Sequence, residues 1–161
     1  MSEESSELWE PVSGIETPCA DLTFCYVHPH GLEVRMHFSN VVGGPENDLL
    51  LKFSGAIAIQ WESETFGLVP IPGPLPKCHS PNWDTWTFPL LRVQNSSWWA
   101  TYDARNPIAA EGRNHYVLVT MDDLLHVLAE TTVTATWVPP TTRRPTLHST
   151  RPPTALPSSS G

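Results

Sequence analysis

Residues 115–138 constrain the fold of this chain more than any other stretch. Tyr116, Val117, Leu118 and Val119 form a short β-prone run, and Thr120-Met121-Asp122-Asp123 follows with the spacing of a helix start. Met121, Leu124, Leu125 and Leu128 then stand at i, i+3, i+4 and i+7, as on one helical face. Beyond them Val133, Ala135 and Trp137 alternate with Thr132, Thr134 and Thr136. The pattern predicts strand, helix, strand, with the helix over Asp122 to Glu130 docked through Leu124, Leu125 and Leu128.

Upstream, strand signals dominate. Leu22, Phe24 and Tyr26 alternate with Thr23, Cys25 and Val27, and Leu32, Val34, Met36 and Phe38 alternate with Glu33, Arg35 and His37. Between them His28-Pro29-His30-Gly31 suits a type I turn, so a β-hairpin is expected. Leu49 to Glu62 is the longest β-prone stretch, and its apolar residues at both parities suggest a central strand covered on both faces, with Gly55 marking a bulge or a bend. Pro70, Pro72, Pro74, Pro76, Pro81 and Pro89 exclude a ladder strand from most of residues 67–89, a long loop that Trp83, Trp86 and Phe88 pin to the body. Leu90 to Val93 returns to a β pattern, and Ser96 or Ser97 is placed to cap a short helix through Trp98, Trp99 and Tyr102.

The expected architecture is α+β: a mainly antiparallel sheet of five or six strands with one principal helix on a face, a short helix and a long Pro-rich loop. Residues 1–21 read as a loosely ordered acidic leader, 22–138 as a single domain, and 139–161 as a disordered tail of Pro, Thr, Ser and Arg that has too little to bury to offset chain entropy.

All 17 acidic residues precede Pro139, whereas Arg143, Arg144 and Arg151 follow it; the body thus holds six basic residues and a formal charge of −11. A field of that sign repels phosphate backbones and favours a basic protein partner over nucleic acid. The acidic opening lacks the basic and apolar regions of a signal peptide, and no apolar run approaches the roughly 20 residues of a membrane span, so a cytoplasmic protein off the membrane is expected. Cys19, Cys25 and Cys78 are odd in number and show no framework spacing, so no disulfide set is expected.

The chemistry-bearing residues are few. His28, His30, His37, Cys78 and His79 could meet in the fold, but no pair has the close spacing of a zinc site, so no metal or other cofactor is expected. On the expected helix, Asp122 and His126 stand one turn apart, an arrangement in which a carboxylate orients an imidazole; it reads equally as a solvated helix face. Nucleophile-elbow and phosphate-loop motifs do not occur. Trp83, Trp86, Trp98 and Trp99 concentrate four of seven tryptophans around the long loop and are the partner- or ligand-binding candidates. Trp98 and Trp99 are adjacent and point in different directions in any regular structure, so they do not both fill one core.

Residues 88–98, followed after a loop by 115–129, resemble a recurring arrangement in small uncharacterised bacterial proteins, some of immunity or accessory type in toxin systems. The resemblance implies a non-enzymatic binding protein that occupies a partner's surface, and it transfers no catalytic residue. Two other readings stay open: a small-ligand or carbohydrate-binding module built on the tryptophans, and an enzyme with a site near His115 and His126.

Overall fold

The computed structural model describes residues 3–27, 31–63, 70–105, 112–130 and 132–141. In chain order its elements are β1 (Ser5–Leu8), β2 (Leu22–Val27), β3 (Gly31–Met36), β4 (Asp48–Phe53), β5 (Ala56–Ser63), β6 (Leu90–Gln94), α1 (Ser97–Arg105), β7 (Asn114–Val119), β8 (Asp123–Ala129) and β9 (Val133–Val138). The strands form two antiparallel sheets, β1-β6-β7-β8-β5 and β2-β3-β4-β9. Mostly antiparallel sheet with a single α-helix among the described residues fits the expected α+β class in its broad sense, with two sheets where one was expected.

Strand alternation explains how the sheets meet. Leu32, Val34 and Met36 of β3 pair in register with Phe53, Leu51 and Leu49 of β4, and these pair in turn with Val133, Ala135 and Trp137 of β9, so one face of the four-stranded sheet is continuously apolar. Tyr116 and Leu118 of β7 share a face with Val127 and Leu125 of β8. The two faces merge into one core, with Phe53 edge-on to Tyr116 at a ring separation of 5.5 Å and Phe38 edge-on to Trp137 at 5.6 Å.

The segment expected as the principal helix, Asp122 to Glu130, is strand β8. Its residues from Leu125 to Ala129 are all buried, because one parity faces the other sheet while His126 and Leu128 face the opposite side. A short apolar run buried on both faces carries leucines at helical spacing by coincidence, and periodicity alone does not separate the two states. The supposed helix cap serves a hairpin instead. Thr120 Oγ1 accepts from the N–H of Asp123 at 2.9 Å, and Thr120 N–H donates to the Asp123 carbonyl at 2.9 Å. The hydroxyl thus closes the β7–β8 turn.

Other expectations are revised in detail. The β2–β3 hairpin forms, with Val27 opposite Gly31, while His28 to His30 lie outside the described residues. Phe24 and Tyr26 have the inward parity of Leu22, yet Tyr26 remains 65% exposed because β2 is an edge strand. The stretch from Leu49 to Glu62 is two strands in different sheets, joined by a turn at Ser54 and Gly55; β5 is an edge strand, so the central position expected for this stretch is held only by β4. Residues expected as a loosely ordered leader supply β1 and the fully buried Ile15 and Cys19. Residues 142–161 of the expected tail lie outside the described residues. All three cysteines are free thiols, and no described helix is long and apolar enough to cross a membrane.

Asp48 organises the end of the four-stranded sheet. Its buried carboxylate accepts hydrogen bonds from Ser39 Oγ at 2.7 Å, His37 Nδ1 at 3.0 Å, Arg35 Nε at 3.2 Å and the Thr141 N–H at 3.3 Å. Arg35 also donates to the Pro139 carbonyl, which fastens the chain beyond β9. Burial works to raise the carboxyl pKa, but the donors from Ser39, His37, Arg35 and Thr141 outweigh it and hold the group below its ordinary range. Removing the carboxylate leaves those donors unpaired, so Asp48→Ala is expected to cost about 3–5 kcal/mol. Lys52→Ala, which breaks an exposed pair with Glu33, should cost less than about 1 kcal/mol. Urea unfolding of both variants checks this; equal costs would show that Asp48 is no keystone.

Candidate functional site

The outward face of the five-stranded sheet carries the two histidines of its central strands. His115 and Val117 of β7 lie opposite Leu128 and His126 of β8, so the two histidines are diagonal neighbours on one face. Their rings meet, with His115 Nε2 and His126 Nδ1 3.0 Å apart. On the far side of His115, Nδ1 lies 2.8 Å from Ser96 Oγ.

Ser96 is placed by the turn from β6 into α1. Asn95 takes a left-handed conformation at φ 53°, which asparagine tolerates better than most residues, and the next residue caps the helix. The Trp99 N–H donates to Ser96 Oγ at 3.2 Å. Glu4 reinforces this end of α1, because its carboxylate accepts from both the N–H and the hydroxyl of Ser97 at 3.0 Å. The capping expectation at Ser96 therefore holds, and the same hydroxyl reaches the histidine pair.

These hydrogen bonds link three side chains in series. Ser96 Oγ accepts from the Trp99 N–H and keeps both a proton and a second lone pair to share with His115 Nδ1. His115 Nε2 and His126 Nδ1 share one proton in turn, and the series ends at His126 Nε2. His126 is 1% exposed, and its Nε2 has no partner. A buried donor or acceptor left unpaired costs about 1–3 kcal/mol.

That ring lines a cavity of about 260 Å³ walled by Pro70, Pro72 and Trp98, with Gln60, His115 and His126 on the sheet. The Trp98 ring stands nearly perpendicular to both imidazoles, 5.4 Å from His115 and 6.5 Å from His126. Burial, with His126 close by, pushes His115 down to about 3; burial also lowers His126, with Glu62 pulling it partly back. Both rings are neutral at neutral pH, and the pair offers the cavity one unpartnered ring nitrogen and no positive charge.

The tryptophan candidates separate. Trp98 joins the cavity, whereas Trp99 is buried on another side of α1, under the Arg113 guanidinium at 5.4 Å, and Arg113 pairs with Asp103. Trp83 and Trp86 pack edge to face at 5.7 Å in the segment after Pro76, outside this cavity, and Trp86 is 41% exposed. His115 and His126 do come together, but across a hairpin, and Asp122 is in the turn instead of one helical turn from His126. Cys78 donates to the Thr87 carbonyl and His79 packs on Phe88. His28 and His30 fall outside the described residues, and among the described residues no three His, Cys, Asp or Glu groups are placed to hold a metal ion.

Sequence reasoning did not mark Gln60, Pro70 or Pro72 as site residues and saw Ser96 only as a cap. Reading the Thr120–Asp123 tetrapeptide as a hairpin turn would have set Val117 opposite His126 and brought the two histidines together. Comparison with known proteins returns no match to any family model, curated protein or solved structure.

The buried neutral pair ties stability to pH. Unfolded His115 takes a proton near 6.5 and folded His115 only near 3, so the unfolded state binds more protons across that window. The contribution is complete above about pH 6.5 and is lost as pH falls toward 3, by up to about 1.4 kcal/mol per pH unit. Urea unfolding should therefore show the parent protein losing stability between about pH 6.5 and pH 4.5 more steeply than His115→Gln, in which the other acid-labile groups are unchanged. Parallel slopes would mean that His115 is not held neutral.

Proposed function

We propose that this chain is a non-enzymatic binding protein whose small ligand seats in the cavity between Trp98, the Pro70–Pro72 segment and the histidine pair. One observation carries the reading: His126 Nε2 is buried without a hydrogen-bond partner in the lining of a ring-walled cavity. Such a combination of apolar walls and a few placed polar groups is the usual form of a small-ligand site.

Two features favour binding over catalysis. The hydroxyl in the chain, Ser96, stands at its inner end, where it caps α1, instead of at the cavity. Imidazoles with depressed pKa values are also weak proton acceptors at neutral pH. An acid–base site near His115 and His126 gains little from this arrangement.

A second reading, an immunity-like or accessory protein that covers a basic partner, is favoured by a different observation. Tyr26 is 65% exposed, Trp61 53% and Trp86 41%, and the body around them is strongly acidic. Opposite charge would speed encounter, and the aromatic residues would anchor the complex.

Chemical-shift mapping with a library of small molecules separates the two. Ligands should perturb the Trp98 indole, Gln60 and His126, and Trp98→Ala should weaken them about tenfold or more, about 1.4 kcal/mol, while Trp86→Ala leaves them unchanged. No binding at the cavity, together with a basic protein recovered from the host and lost on Trp86→Ala, would transfer the assignment to the second reading.

A further inference from the structure

Resting on the reading of this cavity as a ligand site, we infer that its ligand is an organic cation with a quaternary ammonium head, boxed by the rings of Trp98, His115 and His126 and balanced by the Glu4 carboxylate.

Three rings give the cavity two walls at nearly a right angle. His115 and His126 are neighbours on the sheet face, with ring centroids 5.3 Å apart and planes tilted by 41°. The Trp98 ring, on the first turn of α1, stands at 78° to the first imidazole and 77° to the second. Pro70 and Pro72 add aliphatic rings to the same lining. The face of an aromatic ring is its negative side, and indole attracts a cation best when the charge lies within about 6 Å of the ring centroid.

Charge then selects among molecules that fit such a box. Glu4 lines the cavity, and its carboxylate accepts from the N–H and the hydroxyl of Ser97, both neutral donors, at 3.0 Å. The N-terminal end of α1 offsets part of that charge, about half of it. Among the described residues no Lys or Arg lines the cavity, and both imidazoles are neutral at neutral pH. The lining is therefore negative, within a body of −11 that draws cations from solution and turns anions away.

Hydrogen-bonding capacity decides the kind of cation. A primary ammonium is strongly hydrated in water and brings three N–H donors that need acceptors, whereas each Glu4 oxygen already takes a bond from Ser97. A quaternary ammonium has neither N–H nor lone pair, so it makes no demand on how His115 and His126 share their ring protons. A hydroxyl two carbons from the nitrogen both donates and accepts, and it would meet His126 Nε2 in either tautomer.

Chemical-shift titration of the full chain with choline, its neutral carbon isostere 3,3-dimethyl-1-butanol, and ethanolamine tests this. Choline should perturb the Trp98 indole and His126, the isostere should bind about tenfold more weakly or worse, and ethanolamine should also bind less well than choline. Glu4→Gln keeps an oxygen for Ser97 and removes the charge; it should weaken choline roughly three- to tenfold and leave the isostere unchanged. Trp98→Leu keeps apolar bulk without the ring face, and it should bring choline and the isostere within about threefold of each other. The isostere binding as tightly as choline, or ethanolamine binding more tightly, would overturn the ligand class and leave the cavity reading standing. If no molecule of any class perturbs Trp98 or His126, both fall.

Discussion

The structure depends on a five-stranded sheet that must be covered on both faces. Its inward face, with Tyr116, Leu118, Leu125 and Val127, packs on the four-stranded sheet. Its outward face carries Leu91, Val93, Val117 and Leu128, all buried as well, and no second sheet lies there among the described residues. Helix α1 and the proline-rich chain supply the second cover. Both histidines are on this second face, so their burial, their lowered basicity and their mutual hydrogen bond follow from the cover. Backbone amides pair along the ladders, but side-chain nitrogens placed under a cover need partners of their own, and Ser96 provides one.

What the sequence disclosed follows from how local each signal is. The β2–β3 hairpin was legible because β3 buries one face and leaves the other polar, giving a clean alternation, and β2 repeats it in Leu22, Phe24 and Tyr26 although only Leu22 is buried. Ser96 as a cap was legible because a cap answers to the next three residues only. Strand β8 was not, since covering both faces erased its alternation and left an apolar run whose leucines also suit a helix. The corner at Gly55 was visible as a break, but the passage of β4 and β5 into different sheets rests on partners far along the chain: Leu49 pairs with Trp137, and Gln60 with His126.

The candidate site is less legible than the fold for the same reason. Ser96, His115 and His126 come from α1's cap and two strands, and Gln60 from a third strand in the chain's first half. None of them has motif spacing, because the sheet supplies the spacing. The tryptophan cluster was visible by composition, yet composition could not distinguish Trp98, which walls the cavity, from Trp99, which packs under Arg113. Buried Asp48 presents a parallel case: an acidic residue at a strand start looks like surface until Ser39, His37, Arg35 and Thr141 converge on it.

The prolines explain why the second cover leaves a cavity over the histidines. A segment able to pair would extend the sheet at the free edge of β5, but proline lacks the N–H that a ladder requires. The chain around Pro70 and Pro72 therefore crosses the sheet instead of joining it, and short rigid rings pack less completely than interdigitating leucines. Helix α1 adds a bulky Trp98 at the rim, which props the cover away from the small polar side chains on the sheet. The same composition that excludes a tenth strand thus makes the gap, and the two histidines beneath it turn an imperfection of packing into a place where a polar ligand can be held.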